Sequence, residues 1–194
     1  MAPRGVAIPD LRERLFEAAE RIVARDGASA LTSRAITGEA GCAKGVLHTH
    51  FGGVDAFVAE LVLDRFARTA CEAAKLPARA GQGTIADNLV GVATSLLDSL
   101  DPGVVGLAMA SHATSRTIRA SLAAGAPGFA TIQDALTDYL DAELRIGRLP
   151  DGTDTAAMAL ALVGTVHHLL MTGWAGAPDP REQTERLVAL LVSR

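Results

Sequence analysis

The residues best suited to chemistry in this sequence lie in one run, LTSRAITGEAGCAKGVLHTHF, residues 31–51. If the end of this run is helical, Leu47 and Phe51 share an inward face. Lys44, Gly45, His48 and Thr49 are then left outward, with Val46 and His50 at the edge. Lys44 offers a cation to a phosphate or a guanine edge, and Thr49 offers both a hydroxyl and a methyl to base edges. Gly45 carries no side chain, so a duplex can approach its backbone closely. Thr32, Ser33 and Arg34 open a preceding helix, where free N–H groups and side chains suit a phosphate. The ordinary alternative for these residues is a solvated helix face, and His50 reads equally well as a packing residue.

Other chemistries fit less well. His48 and His50 are two apart, so they do not face each other on a helix, and no Cys or carboxylate cluster accompanies them as metal ligands. Cys42 and Cys71 imply no disulfide framework. Cys42 sits in a turn, where a small packing residue is the plainer reading than a redox switch. No Ser-His-Asp spacing, glycine-rich phosphate loop, paired catalytic carboxylates or zinc signature is found. The expectation is a protein that is not an enzyme and holds neither metal nor cofactor.

The elements that must position the run are legible. Asp10 is placed to cap a first helix, with Glu13 at the capping-box position and Leu11, Leu15, Ala18, Ala19 and Ile22 at helical spacing. Gly27 ends this helix. Thr32 caps a short second helix to about Ala40 with Ile36 inward, Gly41-Cys42-Ala43 makes a tight turn, and a third helix runs from Lys44 to Phe51. Gly52-Gly53 breaks the chain before a long amphipathic helix to about Lys75, with Phe57, Val58, Leu61, Val62 and Phe66 inward. A capped supporting helix, a glycine-bearing turn and a second helix with an open polar face are the parts of a helix-turn-helix.

The segment 76–83 (LPARAGQG) reads as a linker with Pro and Gly and is the best domain boundary along the chain. After it come a helix over 84–100 and a broken helical region through about Ala123. Another helix runs from about Pro127 to Arg145, with Ile132, Leu136, Leu140 and Leu144 at steps of four. Asp154 opens the next helix, and Asp179-Pro180-Arg181-Glu182 opens the last with cap, first-turn proline and box glutamate. No β-alternation persists and no internal repeat is present. The expected fold is all-α. An N-terminal three-helix helix-turn-helix DNA-binding domain covers residues 1–53, preceded by a short disordered arm. A helical C-terminal part covers 54–194, with 54–75 as the connecting helix.

Composition bounds the rest. The chain has 194 residues, 49% of them hydrophobic but only 4% aromatic, so its core is built from Ala, Leu, Val and Ile in closely packed helices. The net charge of −4 is unevenly spread: residues 1–75 hold 10 Lys+Arg against 10 Asp+Glu, and the remainder holds 8 against 12. A neutral head on an acidic body binds phosphates if its basic groups share one face. The opening MAPRGVAIPD lacks the long apolar stretch of a secretory signal, and a cytoplasmic protein is the economical expectation. Residues 155–173 are long enough to span a bilayer, but His167 and His168 would then sit inside it and no basic cluster flanks it. A helix buried on all sides looks the same. It needs apolar neighbours on two opposite sides, one supplied by its own subunit and the other by a partner subunit.

The run 31–51 resembles the DNA-binding domain of the TetR (tetracycline-repressor) family. The likeness rests on Thr32, Arg34, Ile36, Ala40, Gly41, Gly45, Leu47, His50 and Phe51, and extends over roughly residues 10–66. The resemblance implies repression of transcription, binding of palindromic double-stranded operator DNA as a homodimer, and a small, largely apolar effector held within a C-terminal ligand-binding and dimerisation domain. For that pocket, His112, His167 and His168 are the candidate polar groups, and Met109, Phe129, Tyr139, Met171 and Trp174 the candidate walls. The adjacent His167 and His168 point in different directions, one to the pocket and one to a partner subunit. Three departures from the family pattern weaken the expected grip on DNA. Cys42 and Ala43 replace Val-Ser and remove a helix cap, His48 stands where the family has a phosphate-binding Tyr, and Gly53-Val54 replace Ser-Lys. The alternative is a helical interaction module that has lost DNA binding. A small-molecule-binding enzyme is a more distant one.

Overall fold

The computed structural model describes residues 11–172 and 177–193, over which the chain forms ten α-helices and no strand. The Asp10 cap, the N-terminal arm and Trp174 lie outside the described residues. Helix α1 (Leu11–Asp26) buries Leu15, Phe16, Ala18, Ala19, Ile22 and Val23, the stripe its sequence spacing predicts. After a single 3-10 turn, the Thr32 hydroxyl accepts the Ala35 N–H at 3.2 Å and caps α2 (Ser33–Glu39). Helix α3 is shorter than expected: it covers Val46–Phe51, and Lys44 and Gly45 remain in the turn before it. The cause is local. Gly45 sits at the N-cap, with Lys44 and Ala43 before it, and none of the three has a side-chain oxygen to accept the free N–H groups of a first turn. Gly52 (φ 78°) ends α3 and Gly53 (φ 145°) turns the chain into α4 (Val54–Ala73), conformations that glycine adopts without strain.

Three rings lock this head together. Phe16 of α1, Phe51 of α3 and Phe57 of α4 meet with centroids 4.9–6.0 Å apart, the Phe51–Phe57 pair edge to face. The turn between α2 and α3 is held by Arg14, whose guanidinium donates to the Ala40 carbonyl at 2.6 Å.

Helix α4 is the spine of the molecule, packed on α3 and also on α5 (Ile85–Leu97), α6 (Pro102–Ala110), α7 (His112–Ala123) and α8 (Phe129–Arg145). Helices α9 (Thr155–Met171) and α10 (Pro180–Val192) close the far side. The Asp154 and Asp179 side chains cap these two helices by accepting N–H groups of their first turns.

Segment 76–83 is not an open linker. Leu76–Arg79 form a 3-10 turn packed on α8, with Leu76 only 2% exposed. Glu143 of α8 is fully buried, and such a carboxylate needs donors. The Gly81 N–H (3.1 Å) and the Arg148 guanidinium (3.2 Å) both donate to its Oε1, while Oε2 accepts no hydrogen bond among the described residues; Arg148 also donates to the Gly83 carbonyl at 2.6 Å. The glycines that read as freedom are the residues that let this loop fold back over the acid.

Helix α9 is not buried on all sides within one chain. Leu162, Val163, Val166 and Leu170 face the core, and Ala156, Ala157, Leu160 and Gly164 are exposed. No single helix among the described residues is long and apolar enough to cross a membrane.

Candidate nucleic-acid interface

Helix α3 has two faces set by its own sequence. Leu47 is fully buried and Phe51 nearly so, and together they fix the rotation of the helix. That rotation leaves Lys44, Gly45, His48, Thr49 and His50 exposed and Val46 half-buried. The Thr49 hydroxyl donates to the Gly45 carbonyl at 3.0 Å, so its hydrogen is occupied while its lone pairs stay open. On the supporting helix Arg34 is exposed and Ser33 half-buried. Thr32 is exposed too, but its oxygen already serves as the α2 cap.

The charges of the head are sorted. Arg12 pairs with Glu60 (2.5 Å), Arg21 and Arg25 with Glu39 (3.0 and 3.3 Å), Arg65 with Glu20 (2.8 Å), and Arg68 with Glu13. Hydrogen bonds from Arg21 and Arg25 hold the Glu39 carboxyl below its ordinary value. Partial burial pushes the Glu13 carboxyl up, but the Arg65 and Arg68 guanidiniums outweigh it and the net direction is down. The described ion pairs thus take up the acids of α1 and α2 and Glu60, Asp64 and Glu72 of α4, while Asp55 accepts from Ser111 and Thr114. Arg14, which donates to the Ala40 carbonyl, Arg34 and Lys44 are in none of them. Although residues 1–75 balance in charge, Arg34 and Lys44 are therefore left as cations outside any described ion pair, on the side where α2 and α3 expose their polar residues.

A second set of candidates comes together in the body. A cavity of about 160 Å³ lies among α4, α6, α7, α8 and α9. Of the residues the sequence offered, Met109, Phe129, His167 and Met171 line it. The His167 ring stands edge-on to Phe129 at 4.9 Å, whereas His168 is exposed, its Nε2 lying 3.3 Å from the Thr172 hydroxyl. His112 is exposed at the start of α7, and Tyr139 is fully buried against Asn88, so both lie outside this lining. Burial pushes the Tyr139 hydroxyl up to about 12; the Asn88 hydrogen bond works against this and the neighbouring Glu143 adds to it. Sequence reasoning missed Val62 and Phe66 of α4 as lining. Their spacing identified the buried face of that helix but could not say that part of it borders a void. Among the described residues, no group of three or more His, Cys, Asp or Glu is placed to hold a metal ion.

An all-helical chain with a helix-turn-helix head whose reading helix shows its polar side outward defines a DNA-binding regulator. Residues 15–61 match the model of the bacterial regulatory proteins of the tetR family. The chain is similar in structure to a TetR transcriptional regulator from Streptomyces coelicolor (25% identity over 93% of this chain and 95% of that one, TM-score 0.55). It is similar also to a transcriptional regulator from Rhodococcus sp. Rha1 (24%, 94% of each chain, TM-score 0.65). A TetR/AcrR-family regulator from Thermobifida fusca YX-ER1 shares the fold at 15% identity, covering 94% of this chain and 97% of that one, with a TM-score of 0.64. No curated protein sequence matches. The head thus matches the DNA-binding domain of the bacterial tetR-family regulatory proteins, and the chain as a whole shares its fold with solved regulators of that family.

Proposed function

We propose that this protein is a ligand-responsive transcriptional repressor that binds palindromic operator DNA as a homodimer in the cytoplasm, has no enzymatic activity, and releases DNA when a small, largely apolar effector binds. The observation that carries the reading is the orientation of α3, with Leu47 and Phe51 buried and Lys44, His48 and Thr49 exposed. In this reading Gly45, Val46, His48, Thr49 and His50 meet the major groove, Lys44 meets a phosphate at its edge, and Thr32, Ser33 and Arg34 meet the flanking phosphates. Residues 1–53 form the reading head and 54–194 the ligand-binding and dimerisation part.

Dimerisation is supported by the exposed side of α9 and α10, where Leu160 and Leu190 are 58% and 71% exposed. A homodimer presents two heads to successive major grooves about 34–36 Å apart. An effector in the body acts by favouring a geometry in which that spacing is lost. Two contacts support a route for the change. Phe66 of α4 borders the cavity. At the other end of the same helix, Asp55 accepts hydrogen bonds from Ser111 (2.7 Å) and Thr114 (3.2 Å) at the α6–α7 corner.

A gel shift at low salt with DNA flanking the protein's own gene tests the reading. Retarded DNA, lost in the Arg34→Ala/Lys44→Ala variant, is the expected result. Absence of any shift by the wild type rejects the DNA-reading role and favours a helical module that has given up DNA.

A further inference from the structure

The body cavity restricts its occupant by size, charge and shape. Its volume is about 160 Å³. An apolar cavity of roughly 150 Å³ holds one benzene ring, and drug-sized ligands need about 300–1,000 Å³. A single ring fits this space, and a multi-ring compound or long acyl chain would have to extend out past the exposed Met109. The described lining carries no charged side chain other than the ionisable His167, which is also its only polar one. A carboxylate or ammonium group buried there would meet no side chain of fixed opposite charge, a costly arrangement.

The wall is aromatic. Phe66 and Phe129 sit 4.8 Å apart with their rings tilted by 58°, and Phe129 meets the His167 ring edge to face at 4.9 Å. Rings in these relations leave edges and faces that favour a further ring. Met109 and Met171 add thioether sulfurs, which also pack well on aromatic guests. His167 lines the cavity and is also exposed as a residue, so it stands at the edge of the space. A hydroxyl both donates and accepts, so it satisfies an imidazole nitrogen in either tautomer.

We infer that the cavity takes one neutral six-membered aromatic ring bearing a single hydroxyl, a simple phenol, with the ring among Phe66, Phe129 and the two methionines and the hydroxyl on His167. The inference rests on the effector reading above and names the chemical class of that effector.

The test uses the full-length protein with phenol, toluene, benzoate and octanoate as probes, read by calorimetry and by release of bound DNA. Phenol is expected to bind saturably, to release DNA, and to bind roughly five-fold more weakly to His167→Phe, a variant that keeps a ring and loses the hydrogen bond. Toluene affinity should be unchanged in that variant. Ala108→Phe fills the cavity and should abolish phenol binding. Should it fail to fold, Met109→Trp at the exposed rim closes the mouth instead. Tighter binding and DNA release by benzoate or octanoate, blocked by either filling variant, overturns the phenol class and keeps the effector reading. Phenol binding without DNA release supports the occupant and overturns its role as effector. No binding by any probe, with DNA affinity unchanged in the filled variants, overturns both.

Discussion

Lys44, in the turn before α3, and Leu47, within it, do opposite work, and single substitutions separate them. Leu47 is fully buried and sets the helix rotation, so Leu47→Ala should cost about 2–5 kcal/mol in chemical denaturation. Lys44 is exposed and makes no described ion pair, so Lys44→Ala should leave stability within about 0.5 kcal/mol while lowering DNA affinity. Equal loss of stability in both would mean that the helix is rotated differently. Tyr139 gives an independent check on the body, because it is the only tyrosine and its titration is directly visible by ultraviolet absorbance. Its hydroxyl should titrate near 12 rather than the ordinary 10.0. The neutral form is the one the fold favours. The stability this contributes is fully present below pH 10 and is lost as pH rises through about 12. Titration at the ordinary value would show that the Asn88–Tyr139–Glu143 cluster is open to water. The sequence made the α3 residues legible because they sit at fixed offsets from two apolar anchors. It did not make Tyr139 legible as a core residue, since an aromatic with a polar tip reads equally well as a pocket wall.

At the scale of elements, helices were readable wherever a cap and a spaced apolar stripe agreed. Thr32, Thr84, Asp154 and Asp179 all cap the helices they precede. The sequence places the start of α3 two residues early because no side-chain cap marks it. Segment 76–83 reads as a linker because its Pro and Gly carry no information about the buried acid, 62 residues beyond Gly81, to which the Gly81 N–H donates. Close approaches between elements were also invisible. Gly103 of α6 sits against α1, where an added Cβ would lie 2.6 Å from the Val23 side chain. Val23 is itself only 5% exposed and has no free space to yield. Gly103→Ala should therefore cost about 1–3 kcal/mol in thermal or chemical unfolding. A neutral result would show that α6 and α1 do not touch so closely. The Asp55 bonds predict a local effect. Asp55→Ala should speed amide exchange in the first turn of α4 and at the α6–α7 corner several-fold while leaving α1 unchanged. Unchanged exchange at both places would remove this contact from the route between cavity and head.

For the whole molecule, the sequence conveyed class but not assembly. Its charge balance, −4 overall with a neutral head, hid the fact that pairing within the head sequesters the acids and frees Arg34 and Lys44. The apolar stretch of α9 read as two-sided burial, and the fold accounts for one side only: Leu162 and Val166 face the core while Leu160 is left to solvent. The cavity depends on the meeting of five helices, and no local pattern encodes a void among them.

The salt dependence of DNA binding tests the central claim most directly. Fluorescence anisotropy with operator DNA, repeated across salt concentrations, gives the slope of log affinity against log salt. Each phosphate contact contributes about 0.9 to that slope. For Arg34→Ala/Lys44→Ala the account predicts a slope shallower by roughly two units, weaker binding on every sequence tested, and an unchanged unfolding midpoint. A variant that binds with the wild-type affinity and slope would contradict it.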